Sequence, residues 1–145
     1  NADYFYSNPC HEDKDNWGYY NTYNEVKRLI GTMFSDTNYV WVIYSDGPGD
    51  KGRGSSGVCI MPEDDLLGLI GKHPTQPDIS RWYGGCAHEL GHALGLNHPA
   101  QVSIHTKAIM WTGFYGYYPN EAYFTEEDKR ILNSSPFIFS EIMGN

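Results

Sequence analysis

Three histidines and one glutamate stand close together in the segment His88-Glu-Leu-Gly-His92-Ala-Leu-Gly-Leu-Asn-His98. Residues four apart share one face of a helix, so His88 and His92 can direct two imidazoles at one metal ion. Gly95 can adopt a positive φ at little cost, which would end the helix and turn the chain so that His98 supplies a third nitrogen. Three protein ligands leave one coordination position open, as in catalytic zinc sites. The spacing therefore predicts a site for one catalytic Zn²⁺ ion.

Glu89 follows the first of these histidines and is predicted to act as a general base. Its carboxylate can reach a water at the open position, while its direction on the helix turns it away from direct ligation. A carboxylate placed there can take the proton of a metal-activated water. Histidines that only cap or fill a helix have no reason to show this combination of residue types and spacing.

Three helices are predicted in this chain of 145 residues, a length that fits one domain. An amphipathic helix is predicted over Tyr23–Phe34, where apolar residues recur at helical spacing. The histidine-bearing helix is predicted over Arg81–Leu94, with Asp78 or Ser80 as its cap. Thr125-Glu-Glu-Asp128 forms a capping box that opens a third helix.

The segments before the histidines are predicted to contain two strands. Tyr39–Tyr44 is rich in β-branched and aromatic residues and predicts a buried strand, and Val58–Met61 predicts a short one. The glycine-rich segment Ser45–Gly57 between them is expected to hold no regular structure. Asp64–Ile70 predicts a helical turn, and residues 1–20 are expected to be irregular.

Composition and charge exclude two classes of function. The formal net charge is −8, from 18 acidic and 10 basic residues, and no local cluster of Lys and Arg offers an exception. Such a surface repels phosphate backbones, so no nucleic-acid partner is expected. No apolar run approaches the roughly 20 residues that a membrane span needs.

The cysteines and the glycine-rich segment leave two questions open. Cys10, Cys59 and Cys86 allow either one disulfide with a free thiol or three thiols, and a bridge between the last two would require an oxidising compartment. Asp46 and Asp50 are possible Ca²⁺ ligands, but their spacing departs from that of helix-loop-helix calcium sites. A solvated loop is the favoured interpretation of that segment.

The segment His88–His98 resembles the H-E-x-x-H-x-x-G-x-x-H signature of the metzincin metalloproteases. Ile109-Met110-Trp111 resembles the methionine turn that this clan places beneath its metal. Pro99 resembles the serralysin branch, whereas Ala108–Trp111 and Phe124–Asp128 look more like matrixins, so the branch stays unassigned. Astacins and serralysins carry a metal-binding Tyr two residues after the methionine, and here that position is Thr112.

The resemblance implies an α+β fold of metzincin type. Its twisted mixed β-sheet would carry an active-site helix and a backing helix, and a small C-terminal subdomain would hold a terminal helix. Residues 1–145 would form a single catalytic domain, with an upper subdomain over 1–98 and a lower one over 99–145. Gly95 and Met110 would support the site.

The resemblance also suggests where substrate binds. In this clan an edge strand before the active-site helix pairs with extended substrate, and Val58, Cys59 and Ile60 are the candidates for that strand. An ordinary edge strand without this role is an equally good interpretation of those residues. Residues after the methionine shape a neighbouring pocket, for which the aromatic Trp111, Phe114 and Tyr115 suggest an apolar lining.

The function implied is that of a secreted, monomeric zinc endopeptidase. It would hydrolyse protein or peptide substrates with a metal-activated water and Glu89 as the general base. One alternative is a zinc-containing peptide-binding module that is non-catalytic or latent, for example through a Cys10 thiolate on the metal. Another is an exopeptidase or a toxin protease of narrow specificity.

Overall fold

The computed structural model describes residues 2–31, 34, 36, 38–47 and 49–138 as an α+β protein, which confirms the α+β class of the predicted fold. Helices come first along the chain, three short strands follow them, and the remaining helices come after the strands. The helices are α1 (Ala2–Ser7), α2 (Trp17–Ile30), α3 (Glu63–Leu69), α4 (Ile79–Ala93), α5 (Gly113–Gly116) and α6 (Glu126–Ser134), with a 3₁₀ turn at Lys14–Asn16. The strands are β1 (Trp41–Tyr44), β2 (Arg53–Ser55) and β3 (Val58–Met61).

The described strands form one mixed sheet in the order β1-β3-β2. β1 runs parallel to β3, with Trp41 opposite Val58, and β2 runs antiparallel to it, with Gly54 opposite Cys59. The interpretation of Val58–Met61 as an edge strand is therefore wrong, because β3 is paired on both sides and all four of its residues are buried. The edge next to α4 is β2, which lies inside the segment predicted to hold no regular structure.

β1 is shorter and more exposed than predicted. It covers Trp41–Tyr44 of the predicted Tyr39–Tyr44, and its residues alternate between half-buried and exposed. Val42 and Tyr44 are 43% and 40% exposed. The alternation arises because one face of the strand is covered and the other is open. The sequence does not reveal it, because apolar and aromatic residues occupy both faces.

α2 begins six residues before the predicted start. The polar residues Asn21 and Thr22 are buried inside it, and they interrupt the apolar periodicity that the sequence offers. The Asn21 amide donates to the carbonyls of Phe5 and Asn8, which ties α1 to α2. The expectation that residues 1–20 are irregular is also wrong, because α1, the 3₁₀ turn and the start of α2 lie within them. The helix ends at Ile30, before the predicted Phe34, and Gly31 follows it in the left-handed region.

α4 and α6 follow their sequence signals closely. α4 covers Ile79–Ala93, and the Asp78 side chain accepts a hydrogen bond from the Ser80 backbone at its start. At α6, Thr125 and Asp128 form the predicted capping box in both directions. The predicted turn at Asp64–Ile70 is the two-turn helix α3.

The core lies on both faces of β3. Val58 and Ile60 face α2 and pack with Phe34 and the α2 side chains, while Cys59 and Met61 pack with Ala93 of α4. The sheet is thus held between α2 and α4, and the histidine-bearing helix rests directly on it. Among the described residues, none of the helices has both the length and the apolar character that crossing a membrane requires.

Candidate metal centre

The three predicted ligands converge on one point. The Nε2 atom of His92 lies 3.2 Å from that of His88 and 3.2 Å from that of His98. The remaining pair, His98 and His88, is separated by 3.4 Å. We find one group of three or more His, Cys, Asp or Glu side chains that could hold a metal ion among the described residues, and these three histidines form it.

Hydrogen bonds behind two of the rings fix which nitrogen faces the centre. His88 Nδ1 lies 2.6 Å from the Ile109 carbonyl oxygen, and His92 Nδ1 lies 2.9 Å from the Leu96 carbonyl oxygen. A carbonyl only accepts, so each Nδ1 must donate its proton and each Nε2 of a neutral ring must carry a lone pair. Lone pairs that face one another at this distance repel unless a cation lies between them. The donor set is that of a metal site.

The separations fit zinc. With Zn–N bonds of 2.0–2.1 Å in tetrahedral geometry, two ligand nitrogens stand about 3.3–3.4 Å apart. The observed values of 3.2–3.4 Å agree with this. Three imidazoles then leave the fourth position free for water or substrate.

Desolvation favours the neutral, metal-binding form of two of the three histidines. His88 is buried, and desolvation lowers its pKa to about 4 against the opposing hydrogen bond to Ile109, with the neighbouring His92 and His98 lowering it further. Desolvation, with His92 adding to it, also lowers the pKa of His98. A neutral imidazole has the lone pair that a metal requires.

The turn after α4 brings in the third ligand. Gly95 has φ +94°, the left-handed conformation predicted for it, and the Leu96 amide donates back to the Gly91 carbonyl. Leu96 is buried and anchors the turned chain. The His98 ring meets the Trp111 ring edge-on, with 5.4 Å between their centroids.

Met110 packs against Gly91 of α4. It is fully buried, and its Sδ occupies the space beside Gly91, so a Cβ there would collide with it. The neighbouring Ile109 supplies the carbonyl that orients His88. The turn therefore supports the histidine helix through both a side chain and the backbone.

Glu89 lies beside the histidines and lines the same cleft. Burial raises the pKa of its carboxyl to about 7, assisted by Asp65, while the Gly54 amide, Arg53 and Arg81 act in the opposite direction. A carboxyl that exchanges protons near neutral pH suits a general base.

The cleft over the metal centre has a volume of about 560 Å³. β2 forms one wall with Arg53, Gly54 and Ser55, and tyrosines of α2 form another. Tyr19 and Ser55 join these walls through a hydrogen bond of 2.6 Å between their hydroxyls. Sequence reasoning missed both walls, although a glycine inside a strand signals a close approach of another backbone.

The predicted substrate residues have different outcomes. Val58, Cys59 and Ile60 are buried in the middle of the sheet and line neither the cleft nor its edge, so that prediction is wrong. Trp111 lies against His98, and Tyr115 lines a second cavity that also includes Glu89.

The remaining candidates lie apart from the metal centre. Cys10, Cys59 and Cys86 are free thiols. Thr112 donates its hydroxyl to the Thr106 carbonyl. Asp46 belongs to no metal-capable group within the part of the chain that the structure describes.

Comparisons with known proteins give the fold only. No protein-family model matches the chain, and no curated protein matches it. A crystal structure of wild type OgpA from Akkermansia muciniphila is similar in fold, with a TM-score of 0.53 and 20% sequence identity. The similarity covers 97% of this chain but 42% of that one, so the chain spans less than half of the solved protein.

Proposed function

We propose that the protein is a zinc-dependent endopeptidase of metzincin type. The observation that carries this proposal is the convergence of three histidine Nε2 atoms at 3.2–3.4 Å, with lone pairs inward and Glu89 beside them. The resemblance of residues 88–98 to the metzincin signature supplies the class of reaction. Secretion, a monomeric state and the metzincin architecture itself belong to the same proposal.

The three histidines would hold the ion, and hydrogen bonds to backbone carbonyls orient His88 and His92 for it. His88 and His92 would bind through Nε2 because their Nδ1 protons are held by backbone carbonyls. When bound, zinc lowers the pKa of a water molecule and polarises a carbonyl oxygen. His98 completes the set from the loop, so the site depends on the turn at Gly95.

Glu89 would move the proton. Its carboxylate faces the cleft where the nucleophilic water must stand, takes a proton from that water and passes it to the leaving amine. The Gly54 backbone amide favours the ionised carboxylate, because it lowers the pKa of Glu89. Removing this carboxylate should leave metal binding nearly intact, because Glu89 is not a ligand.

β2 is the proposed binding edge for the substrate backbone. Within the described sheet it has a strand partner on one side only, and its other side borders the cleft. An extended peptide added there would form backbone hydrogen bonds with little demand on its sequence. This assigns to Arg53–Ser55 the role predicted for Val58–Met61.

The test compares the parent protein with Glu89→Gln, using zinc content and cleavage of a denatured protein as readouts. We expect one zinc per chain in both, cleavage by the parent only, and loss of cleavage on chelation. A fall of 100-fold or more in rate is the expected scale for a lost general base. His105→Gln is the matched control, because His105 contacts Tyr123 away from the centre.

Two results would contradict the proposal. If the parent binds no zinc, the metal centre itself is misassigned. If zinc binds and peptides bind but nothing is cleaved, the zinc-containing binding module becomes the correct interpretation.

A further inference from the structure

A second cavity of about 240 Å³ opens beside Glu89 and His88, on the side of α5. It lies between α4, the segment before β2 and the residues that follow Met110. Its lining includes the basic residues Lys51, Arg53 and Arg81 and the aromatic Tyr115. The apolar lining expected from Phe114 and Tyr115 is therefore wrong, because these rings stack on a guanidinium group.

Arg81 is held rigidly but not neutralised. Its guanidinium carbon lies 4.5, 5.0 and 4.6 Å from the ring centroids of Trp82, Phe114 and Tyr115. Its Nε atom is buried without a hydrogen-bond partner. None of the ion pairs between described residues includes Arg81. The rings thus fix its position, and its buried Nε has no acceptor among the described residues.

Arg53 reaches the same cavity from β2. Its Nε atom is likewise buried and without a partner, and it too is absent from the ion pairs of the described residues. Shielded cations are normally paired, because removing a charge from water costs several kcal/mol. Two guanidinium groups in one small cavity, each with a buried Nε that lacks an acceptor, offer donors to a ligand that supplies acceptors.

The acidic residues of the cavity do not meet this need. Asp50 is exposed, and Asp65 is buried but forms no ion pair with either arginine among the described residues. The lining holds three basic residues and, with Glu89, three acidic ones, so its formal charges are balanced. The buried Nε atoms of Arg53 and Arg81, which have no acceptor, are what favours an anion as the occupant.

We propose that this cavity binds the acidic side chain of a substrate residue next to the cleaved bond, with Arg81 as the main recognition residue and Arg53 as the second. A guanidinium has only donors, and a carboxylate accepts two of them in parallel. The inference rests on the proposed function, since the cavity gains this role through its position beside Glu89. The substrate class is a peptide with Asp or Glu at one fixed position.

The first experiment maps cleavage sites in denatured proteins by mass spectrometry of the new termini. We expect Asp and Glu to be enriched at one position beside the cleaved bond, and the enrichment to be lost in Arg81→Gln. The charge reversal Arg81→Glu should shift the preference to Lys and Arg. The matched control is Arg28→Gln, an exposed arginine of α2 paired with Glu25.

The second experiment measures binding without catalysis. Zinc-loaded Glu89→Gln protein is titrated by calorimetry with acetyl-Ala-Ala-Glu-Ala-amide, with its Gln counterpart, and with a peptide that places Glu one residue earlier. Of the two glutamate peptides, we expect the one that binds more tightly to exceed the affinity of its glutamine form by about ten-fold. This is the scale of a charge-assisted hydrogen bond. This comparison needs no arginine variant, so it remains decisive if Arg81→Gln fails to fold.

The outcomes separate the two proposals. Cleavage without any preference for acidic residues would overturn the acidic subsite and leave the endopeptidase standing. Tighter binding of the glutamate peptide without cleavage would support the subsite and overturn the endopeptidase. Equal affinity for the Glu and Gln peptides would overturn the subsite whatever the activity.

Discussion

The two walls of the cleft are built by different means. On the helix side, His88, Glu89 and His92 lie on consecutive turns of α4, and their relative placement follows from helical geometry alone. On the strand side, β2 reaches the cleft only because it pairs with β3, which in turn packs between α2 and α4. One wall is encoded locally, and the other is a product of tertiary structure.

This difference separates chemistry from selectivity. The helix wall carries the ligands and the base, which any peptide hydrolysis by this route requires. The strand wall carries the free backbone edge and Arg53, which line the two cavities and, in the proposed function, would contact the substrate away from the scissile bond. Substitutions on the helix wall should therefore change metal affinity and cleavage. Substitutions on the strand wall should change selectivity or the free energy of unfolding.

The largest effect is expected on the helix wall, for His92→Ala. Loss of a hydrogen-bond partner behind a ligand already costs roughly 10–100-fold in metal affinity, so loss of a ligand should exceed about 100-fold. Cleavage should disappear with the metal, whereas the helix should persist because Ala favours it. Zinc titration and circular dichroism measure the two quantities.

His105→Ala is the control for this prediction, because it removes a histidine that contacts Tyr123 rather than the centre. An unchanged zinc affinity in His92→Ala would show that the remaining two histidines suffice. It would then be wrong to describe the site as a set of ligands placed by the local geometry of the helix.

The sequence predicts the helix wall well for a physical reason. The i, i+4 spacing, the Asp78 cap and the left-handed Gly95 are all decided within a few residues of one another. The capping box at Thr125 is confirmed for the same reason. Such signals do not depend on what the rest of the chain does.

The sequence fails where long-range packing decides. Glycine in Arg53-Gly-Ser55 disfavours a strand by propensity, yet the strand forms because Gly54 lets the chain pass against α4. Burial of the polar Asn21 hid the first turns of α2. The residue types of Phe114 and Tyr115 predict an apolar lining, yet the Arg81 guanidinium lies 5.0 and 4.6 Å from their ring centroids.

The second-largest effect is expected on the strand wall, for Gly54→Ala. A Cβ at Gly54 would collide with the Glu89 carbonyl and lie 2.9 Å from the His92 Cβ. Backbone cannot rotate away as a side chain can, so we expect the free energy of unfolding to fall by about 3 kcal/mol. Urea denaturation measures this loss.

Gly116→Ala is the matched control, because nothing lies within 4 Å of the Cβ it would add. Its free energy of unfolding should change by less than about 1 kcal/mol, since Ala is the better helix residue. Equal stability of the two variants would mean that β2 moves freely against α4. The strand wall would then be a flexible flap instead of part of the packed structure.

The smallest effect concerns Asp65, which is 5% exposed and lies beneath the strand wall near Gly52. Burial raises the pKa of its carboxyl from 3.8 to about 6, with Asp64 raising it, Arg81 and His73 lowering it, and Glu89 also close by. The folded chain thus holds this proton more tightly than the unfolded chain does.

The stabilisation from that proton is present below about pH 4 and is lost as the pH rises through about 6. Asp65→Asn, which never ionises, should therefore gain on the order of 2 kcal/mol over the parent at pH 7 and nothing at pH 3.5. Urea denaturation at both pH values measures this gap in the free energy of unfolding between variant and parent. Asp50 is an exposed carboxylate on the same cavity, so Asp50→Asn should show almost no gap. A gap that does not change with pH would mean that packing, and not the proton, distinguishes Asn from Asp at this position. If the gap opens as expected, Asp65 enters the cavity as a carboxyl that resists ionisation, and the arginines face a substrate carboxylate with less competition from the protein.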